Sequence, residues 1–351
     1  MREMEKTARD LTQNGQPGPG PAPCENAGAP CCLIVGGTSL FGQYLSALLV
    51  QKGQRVAATK LPTERADQKY PPDPRVAWYD ADLLDPLSIV AVLKTVRPAV
   101  IYNFAVQNSV SYAWRNPGAT VDVNVIGALN LLDAVRQLDY APTVLLAASG
   151  EEYGRMPFSR MPQSEELQPN PGNIFAASKV CQTMMARIYC RAYGMKLLLV
   201  RTFNETGPGQ SSRFVVSDFC RQYAEFVKRK AEGALPEHPV MQVGNLNIRR
   251  DFTDVRDLVR AFALLADKGR PGEIYNAGRG AAVPIARILE ILRAQTGIEA
   301  AVEARADRIR PIDTPVFEAD TAKIRADAGW QAEIPLEQTV ADMLAYWSAR
   351  V

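Results

Sequence analysis

The chain is poor in the residues that most metal sites and nucleophilic triads require. Its 351 residues include one histidine, His238, in a Pro-Glu-His-Pro segment. Zinc centres and Ser-His or Cys-His pairs generally need histidine, so the sequence argues against a metal site and against those hydrolase classes. The six cysteines show no C-x-x-C spacing and no paired framework, which is typical of a reducing compartment.

Strong net charge and long apolar runs are missing as well. Lys+Arg number 40 and Asp+Glu 38, so the net charge of +2 gives no field suited to nucleic acid or to an anionic membrane. We find no run of about 18 apolar residues that would span a membrane, and no apolar segment typical of a signal peptide. These absences predict a cytoplasmic protein without nucleic-acid or membrane partners.

The sequence divides into a tail and two larger regions. Residues 1–30 are rich in proline and glycine without apolar periodicity, which predicts a disordered tail. From residue 31, apolar runs alternate with helical patterns; the predicted strands are residues 32–35, 55–58, 76–79, 99–102, 143–146 and 196–200. Fully apolar strands separated by helices predict an α/β fold with a doubly wound parallel sheet covered on both faces. Two long helices are predicted at about 117–138 and 175–193.

A glycine-containing loop follows the first predicted strand and opens a helix. It resembles the pattern G-x-x-G-x-x-G at Gly36 and Gly42, with Ser39 at the middle position. Glycines let the backbone approach a pyrophosphate, and the helix N-terminus offers it unpaired N–H groups. The loop therefore predicts an NAD(P) site in a Rossmann-type domain over residues 31–200, although a tight structural turn is the alternative interpretation. The loop residues expected to contact the cofactor are Gly36, Thr38, Ser39, Leu40, Phe41 and Gly42.

The end of the second predicted strand bears on the choice between NAD and NADP. An NAD enzyme usually presents an acidic side chain there to the ribose hydroxyls. Here the stretch is Ala-Thr-Lys-Leu, with Lys60 in that region. A lysine suits a 2′-phosphate, so the sequence favours NADP, and a solvated lysine is the alternative.

Two segments resemble the reacting end of extended short-chain dehydrogenase/reductases. Residues 147–154 resemble the Ser/Thr-x-Glu-x-Tyr-Gly segment of nucleotide-sugar dehydratases, epimerases and reductases. Residues 173–179 resemble the Tyr-x-x-x-Lys signature, with Phe175 in place of the tyrosine and Lys179 one helical turn later. The resemblance implies that Ser149 holds the oxygen at sugar C4 and that Glu151 matches the base used by dehydratases. It also implies cofactor contacts from Lys179 and from four further positions, namely Asp82, Leu83, Ala105 and Val106.

Five further segments resemble one family closely, GDP-4-keto-6-deoxy-D-mannose reductase, with GDP-mannose 4,6-dehydratase as its neighbour. They are residues 201–210, 243–246, 250–257, 272–276 and 310–313. The resemblance implies a nucleotide-diphosphate sugar as substrate, bound mainly by a smaller α/β region over residues 201–351 from which some elements return to the first domain. Arg250 and Arg310 match positions that hold the diphosphate and nucleoside, and arginine's planar fork suits phosphate oxygens. Asp313 stands near the expected ribose hydroxyls, Asn204 near sugar or phosphate, and Asn245 in the nucleotide pocket.

Phe175 leaves the chemistry open, because a phenyl ring can neither donate nor accept the proton that the family's tyrosine transfers. One interpretation is a reductase with another proton donor, such as Tyr153 or a water held by Ser149. A second is a silent member that binds cofactor and nucleotide sugar, and a third is a Tyr→Phe change made to trap a complex. A dehydratase or epimerase that uses Glu151 is the competing enzyme. The resemblance further implies a homodimer formed through the two long helices.

Overall fold

The computed structural model describes residues 31–64, 73–308 and 314–351. The predicted tail at residues 1–30, together with Arg310 and Asp313, lies outside the described residues. The described strands are β1 Cys31–Val35, β2 Arg55–Lys60, β3 Val76–Asp80, β4 Val100–Asn103, β5 Thr143–Ser149, β6 Lys196–Thr202, β7 Glu205–Thr206, β8 Val240–Val243, β9 Arg249–Arg250, β10 Thr253–Asp254, β11 Ile274–Ala277, β12 Val283–Pro284, β13 Ala301–Ala304 and β14 Val316–Phe317.

The central sheet has seven parallel strands in the order β11-β6-β5-β4-β1-β2-β3. Six of its strands are largely buried because helices cover both faces, whereas the edge strand β3 is partly exposed, and an apolar cluster lies on each face. The strand order reverses between β1 and β4, which is the place where doubly wound sheets bind ligands at the carboxyl ends of their strands. The predicted Rossmann-type fold is confirmed.

The described α-helices are α1 Leu40–Gln51, α2 Pro86–Val96, α3 Val110–Arg115, α4 Pro117–Val121, α5 Gly127–Arg136, α6 Ile174–Tyr193, α7 Val215–Ala231, α8 Val255–Lys268, α9 Ala286–Thr296, α10 Ala322–Ala328 and α11 Leu336–Ser348. Several begin at a residue whose side chain accepts a backbone N–H, as Ser39 does for α1 and Asn173 for α6. These caps fix the starts of the two helices that border the sheet's carboxyl edge.

The predicted helix at 117–138 is interrupted by a π-helical turn. α4 passes into the π turn Asp122–Ile126, and α5 then ends at Arg136. The wider turn lets Asn124 point inward, where its Nδ2 donates to Ser178 Oγ (2.9 Å) and its Oδ1 accepts from Gln107 N (2.8 Å). Such single turns often occur at functional sites.

The same α4–α5 segment is the one described helix with the length and hydropathy of a membrane span. Half of it is buried inside the fold, and it carries the acidic residues Asp122 and Asp133. Asp133 accepts a hydrogen bond from the Tyr189 hydroxyl of α6 (2.9 Å). The buried half of its apolar surface is therefore explained by packing against α6 and the sheet.

Residues after 201 build a smaller layer with its own apolar cluster between α7, α9 and α11. Short strand groups accompany it: β8 with β13, β9 with β12 and β14, and β7 with β10. β11 instead returns to the central sheet and forms its edge beside β6. The two regions are thus joined through one shared sheet.

Candidate active site

A cavity of about 370 Å³ lies at the carboxyl ends of β1, β2 and β4. It is lined by Leu33, Val35, Gly36, Thr38, Ser39, Thr59, Lys60, Leu61, Glu64, Ala81, Asp82, Leu83, Leu84, Ile89, Val92, Phe104, Ala105, Val106 and Val123. Most of the side chains predicted to contact the cofactor are in this lining. The apolar walls and the backbone groups at the loop are suited to an adenine ring and a pyrophosphate.

The loop before α1 can leave room for a ligand's phosphates because a glycine and a small serine occupy its turn. Gly36 has φ +81°, and a Cβ there would lie 2.6 Å from Ala105 N. Ser39 replaces the middle glycine of the usual pattern, and its hydroxyl links both ends of the loop: it donates to Gly36 O (2.7 Å) and accepts from Gly42 N (3.0 Å). The residues present therefore fit a dinucleotide, with Ser39 bracing the turn.

Three loop positions predicted to contact the cofactor lie outside the cavity lining, namely Leu40, Phe41 and Gly42. The Phe41 ring stacks on Phe104 (5.2 Å between centroids), so it belongs to the core under the loop. A Cβ at Gly42 would lie 2.5 Å from Gly36 O, which shows that this glycine serves the close approach of helix and loop.

Charges at the ribose end of the cavity come from three side chains. Lys60, at the end of β2, forms an ion pair with Asp80 at the end of β3. Glu64 accepts a hydrogen bond from Thr38 Oγ1 (2.9 Å) and faces the same cavity. The lysine predicted to favour a 2′-phosphate is thus already paired, and the sequence reading missed the nearby carboxylate.

At the end of β5, Ser149 and Glu151 are held in a short turn. Ser149 is 8% exposed, and its Oγ accepts from Glu151 N (3.2 Å). Glu151 Oε2 accepts from Asn173 Nδ2 (3.2 Å), the residue that also caps α6. One short turn therefore carries both residues predicted to act on the sugar, and the Glu151 carboxylate is bonded to the residue that caps α6.

Phe175 and Lys179 lie one turn apart on the buried side of α6. Lys179 is 1% exposed, and its Nζ donates to Ala147 O (2.8 Å) and to Gln182 Oε1 (3.1 Å). Burial lowers the pKa of Lys179 to about 7, against the opposing effect of the Glu152 and Glu205 carboxylates. Phe175 itself is 6% exposed, so its ring is buried beside Lys179 and brings no hydroxyl to the site.

Tyr153, named from sequence as a substitute phenol, is held elsewhere. Its hydroxyl donates to Asn276 Oδ1 (2.8 Å), and the side chain is fully buried against Arg201 and Phe203. Burial raises the pKa of Tyr153 to about 12. This geometry matches the packing role that its surroundings suggest.

A second, smaller cleft adjoins Glu151. It is lined by Val110, Trp114, Glu151, Gly154, Arg155, Gly172, Asn173, Arg250, Thr314 and Phe317. Arg250 is 6% exposed, and its guanidinium donates to Thr314 O (2.7 Å) and Arg249 O (2.9 Å). The structure therefore brings one predicted phosphate-binding arginine to the same cleft as the predicted sugar base.

The other predicted substrate residues are more dispersed. Asn204 follows β6, and its side-chain oxygen is buried without a hydrogen-bond partner in the described part of the chain. Asn245 is exposed, and its Oδ1 accepts from Asn247 N (3.0 Å). Arg310 and Asp313 lie outside the described residues.

The buried charges beneath the site were not predicted. Glu152 accepts hydrogen bonds from Arg201 (2.8 Å) and from Ser149 N (3.1 Å), so an internal ion pair fixes the turn that carries Ser149 and Glu151. Glu205, just beyond β6, is a second case, because burial and the nearby Glu151 carboxylate raise its pKa to about 7. Arg201 and Glu205 both lie in the segment 201–210 that resembles the family. The spacing of residues along the sequence does not show which of these side chains point inward.

Together, a dinucleotide cavity and a second, polar cleft define a Rossmann-type NAD(P)-dependent oxidoreductase. The family model described as GDP-mannose 4,6 dehydratase matches residues 33–343. The chain belongs to this family, whose members are NAD(P)-dependent nucleotide-sugar reductases and dehydratases.

Individual relatives agree with that assignment. GDP-6-deoxy-D-mannose reductase of Pseudomonas aeruginosa is 32% identical over 270 residues, which cover 77% of this chain and 86% of that protein. GDP-mannose 4,6-dehydratase of Sinorhizobium fredii is 25% identical, with 89% of this chain and 95% of that protein covered. A solved structure of RMD from P. aeruginosa complexed with NADPH is 28% identical, has a TM-score of 0.79 and covers 92% of this chain and 100% of its own. The predicted family, fold and type of cofactor are confirmed.

Proposed function

We propose that this protein reduces the 4-keto group of a GDP-4-keto-6-deoxyhexose with NADPH. The observation that carries the proposal is the cleft that holds Glu151 and Arg250 together, next to Ser149 and the carboxyl edge of the sheet. A diphosphate needs a fixed cation, and a ketone at the reacting end needs a hydrogen-bond donor. Similarity to the P. aeruginosa reductase over most of the chain supports the same substrate class.

The chain's own residues divide the work in this proposal. The bound reduced nicotinamide supplies hydride. The Ser149 hydroxyl donates to the C4 oxygen. The backbone N–H of Ser149 donates to the Glu152 carboxylate (3.1 Å), which holds Ser149 in place. Arg250 contacts the diphosphate, and Asn204, whose side-chain oxygen is buried without a partner among the described residues, is assigned to the sugar or phosphate. Lys179 fixes the cofactor's ribose and keeps that role without a tyrosine beside it.

The proposal also includes the division of the chain into two binding regions and its location in the cell. Residues 31–200 form the cofactor-binding domain and residues 201–351 mainly the nucleotide-sugar-binding region, where Asn245, Arg310 and Asp313 contribute to the nucleotide pocket. Placement in the cytoplasm follows from the absence of a paired cysteine framework in the sequence and from the family's nucleotide-sugar substrates.

We further propose a homodimer formed through α4–α5 and α6. The two helices are joined by Tyr189 and Asp133 and by the Arg136 guanidinium over the Tyr193 ring (4.9 Å). Their outer surface exposes large apolar side chains: Val121, Ile126, Met184, Ile188 and Tyr193. An apolar face of this kind is typical of a protein–protein contact, and a second copy would bury it in a four-helix arrangement.

The test is NADPH oxidation with GDP-4-keto-6-deoxymannose, comparing the unchanged protein with Phe175→Tyr. We expect turnover in both and a faster rate in the tyrosine variant, because a phenol beside Lys179 adds a proton donor. Ser149→Ala is the matched loss-of-function variant and should slow both backgrounds. Absence of any rate in the unchanged protein and in Phe175→Tyr would remove the reductase assignment.

A 4,6-dehydratase is the second candidate, and Glu151 is the observation that favours it. A carboxylate beside Ser149 could remove the C5 proton of a GDP-hexose. This activity would convert GDP-mannose to a keto sugar with no net consumption of cofactor. Mass spectrometry of GDP-mannose incubated with the protein and NADP+ distinguishes the two, because the proposed reductase leaves that substrate unchanged.

A further inference from the structure

The reaction proposed above needs a proton for the new hydroxyl, and Phe175 cannot provide it. Tyr153 is also unsuited, because it is fully buried and donates to Asn276. A serine hydroxyl such as that of Ser149 is too weak an acid to give up a proton near neutral pH unless a base relays it. Another titratable group at the same edge of the sheet can supply the proton directly.

The topology brings Glu205 to this edge. β5 and β6 are adjacent and parallel, with Ser149 opposite Thr202 at their last paired position. The chain after Thr202 therefore leaves the sheet beside the turn that carries Ser149 and Glu151. Glu205 lies three residues further on, where β7 pairs with Thr253 of β10 and Gln210 Nε2 donates to Glu205 O (2.7 Å). Its backbone is thus fixed from two sides.

The carboxyl group of Glu205 is hydrogen-bonded by its own backbone N–H. No side-chain hydrogen bond to it is formed within residues 31–64, 73–308 and 314–351, whereas Glu152 and Asp251 are each held by several donors. The nearby charges act on it in opposite directions, since Glu151 raises and Lys179 lowers its pKa. Burial dominates, so the group titrates at about 7, the range that suits a general acid at neutral pH.

We propose that Glu205 is the proton donor of this chain and does the work that the missing tyrosine does in other members of the fold. As hydride adds to C4, the C=O π electron pair moves onto oxygen, and that oxygen takes the proton of the Glu205 carboxyl. The ketone is reduced, the nicotinamide cofactor is oxidised, and Glu205 is left as a carboxylate that recovers a proton from solvent. The assignment rests on the reductase function proposed above.

Among the charged groups on the neighbouring elements, Lys179 also has a pKa of about 7, but its Nζ already donates to Ala147 O (2.8 Å) and Gln182 Oε1 (3.1 Å), which leaves Glu205 as the acid of the site. β10 and α8 present Asp254 and Asp257, but each is paired, Asp254 with Arg256 (2.7 Å) and Asp257 with Arg260 (2.6 Å). Lys179 on α6 and Glu151 on the turn after β5 are the remaining charges that act on it. The turnover number of the unchanged protein should therefore fall as the pH rises above about 7, and Phe175→Tyr should lose that decline.

The experiment compares Glu205→Gln, Phe175→Tyr and the double variant in NADPH oxidation with GDP-4-keto-6-deoxymannose. We expect Glu205→Gln to lower kcat by roughly 10²–10⁴ with little change in KM, and the double variant to recover turnover because the tyrosine donates instead. Glu290→Gln, an exposed carboxylate on α9, is the control and should change nothing. GDP-mannose binding measured by calorimetry should be the same in Glu205→Gln and in the unchanged protein. If Glu205→Gln does not fold, as judged by circular dichroism, Glu205→Ala takes its place.

The outcomes separate this inference from the proposed function. Glu205→Gln with full activity, or a loss that Phe175→Tyr does not restore, overturns the role of Glu205. Loss of GDP-mannose binding in Glu205→Gln also overturns it, because the residue would then act in binding. An inert unchanged protein with an active Phe175→Tyr variant overturns it as well and leaves the reductase assignment standing. If neither protein oxidises NADPH, both fail.

Discussion

At the scale of single residues, the fully buried Lys179 and the half-buried Glu205 form an unusual pair of titratable groups. Burial lowers the pKa of Lys179 to about 7 and raises that of Glu205 to about 7. Each charge eases the burial of the other, yet neither is neutralised by a direct ion pair in the described part of the chain. The site therefore keeps two groups that can gain or lose a proton. With a tyrosine beside Lys179, that phenol would take part in the proton transfer as well.

Glu205 should make the stability of the cofactor-free protein depend on pH. Its folded-state pKa of about 7 exceeds the ordinary 4.5, so between these values the folded state binds more protons than the unfolded state. The free energy of unfolding then falls as the pH rises through this window. Glu205→Gln removes this effect and should gain on the order of 1–3 kcal/mol relative to the unchanged protein between pH 5 and pH 8. Urea unfolding at the two pH values checks this, and a pH-independent difference would contradict it.

Glu64 should influence the choice between NADPH and NADH. Its carboxylate bonds to Thr38 at the ribose end of the cavity, while Lys60 is occupied by Asp80. A 2′-phosphate brings additional negative charge to this end, so Glu64→Gln should tighten NADPH binding by about fivefold and leave NADH binding nearly unchanged. Fluorescence titration with both cofactors measures the effect. Glu232→Gln, after α7, is the control, and equal tightening of both cofactors would show that Glu64 does not discriminate.

At the scale of elements, the turn after β5 depends on β6 beneath it. Glu152 reaches from the turn to Arg201 and to Thr183 of α6 (3.0 Å), and this ion pair is almost fully excluded from solvent. Gly150 completes the arrangement, because a Cβ there would lie 2.7 Å from the Phe317 ring. The position of Ser149 is therefore set by packing from the second region as well as by its own strand.

Arg201→Met should destabilise the fold strongly. It leaves the Glu152 carboxylate buried without its cation, and breaking a buried pair in this way typically costs about 3–5 kcal/mol. Arg287→Met, which breaks an exposed ion pair on α9, should cost at most about 1 kcal/mol. Urea denaturation of both variants provides the comparison. Similar small losses would mean that water or another group compensates at Glu152.

The elements differ in how well the sequence predicts them. β1, β5 and β6 are apolar runs flanked by helices, so their parallel pairing follows from pattern alone. The π turn Asp122–Ile126 was missed, because its residues continue the apolar periodicity and the change of winding comes from inward contacts of Asn124. Short strands such as β7 and β9 were also missed, since two residues carry no periodicity and are fixed only by their neighbours.

At the scale of the whole molecule, the proposed dimer has a direct test. Met184 and Ile188 are 61% and 50% exposed on α6 and would lie at the centre of the four-helix contact. Met184→Glu combined with Ile188→Glu should place charges in that contact and shift the protein to a monomer without unfolding it. Light scattering after gel filtration measures the mass. A dimer that survives both charges, or a monomeric unchanged protein, would exclude this interface.

The site as a whole was only partly predictable. The glycine loop, Ser149, Glu151 and Arg250 could be named from sequence because short motifs carry them, and the structure gathers them at one edge of the sheet. Glu205 could not, because its importance arises from burial and from charges that are distant along the chain. The inward turn of a side chain is a tertiary property, and no spacing rule gives it.

β11 has a consequence for how this chain could be cut. Although it comes from the second region, it provides the last strand of the central sheet, paired with β6 through Leu199, Val200, Arg201 and Thr202. A fragment that ended after β6, at residue 202, would expose this row of backbone donors and acceptors on an apolar strand. Such a fragment should self-associate, so the cofactor half is not an autonomous folding unit.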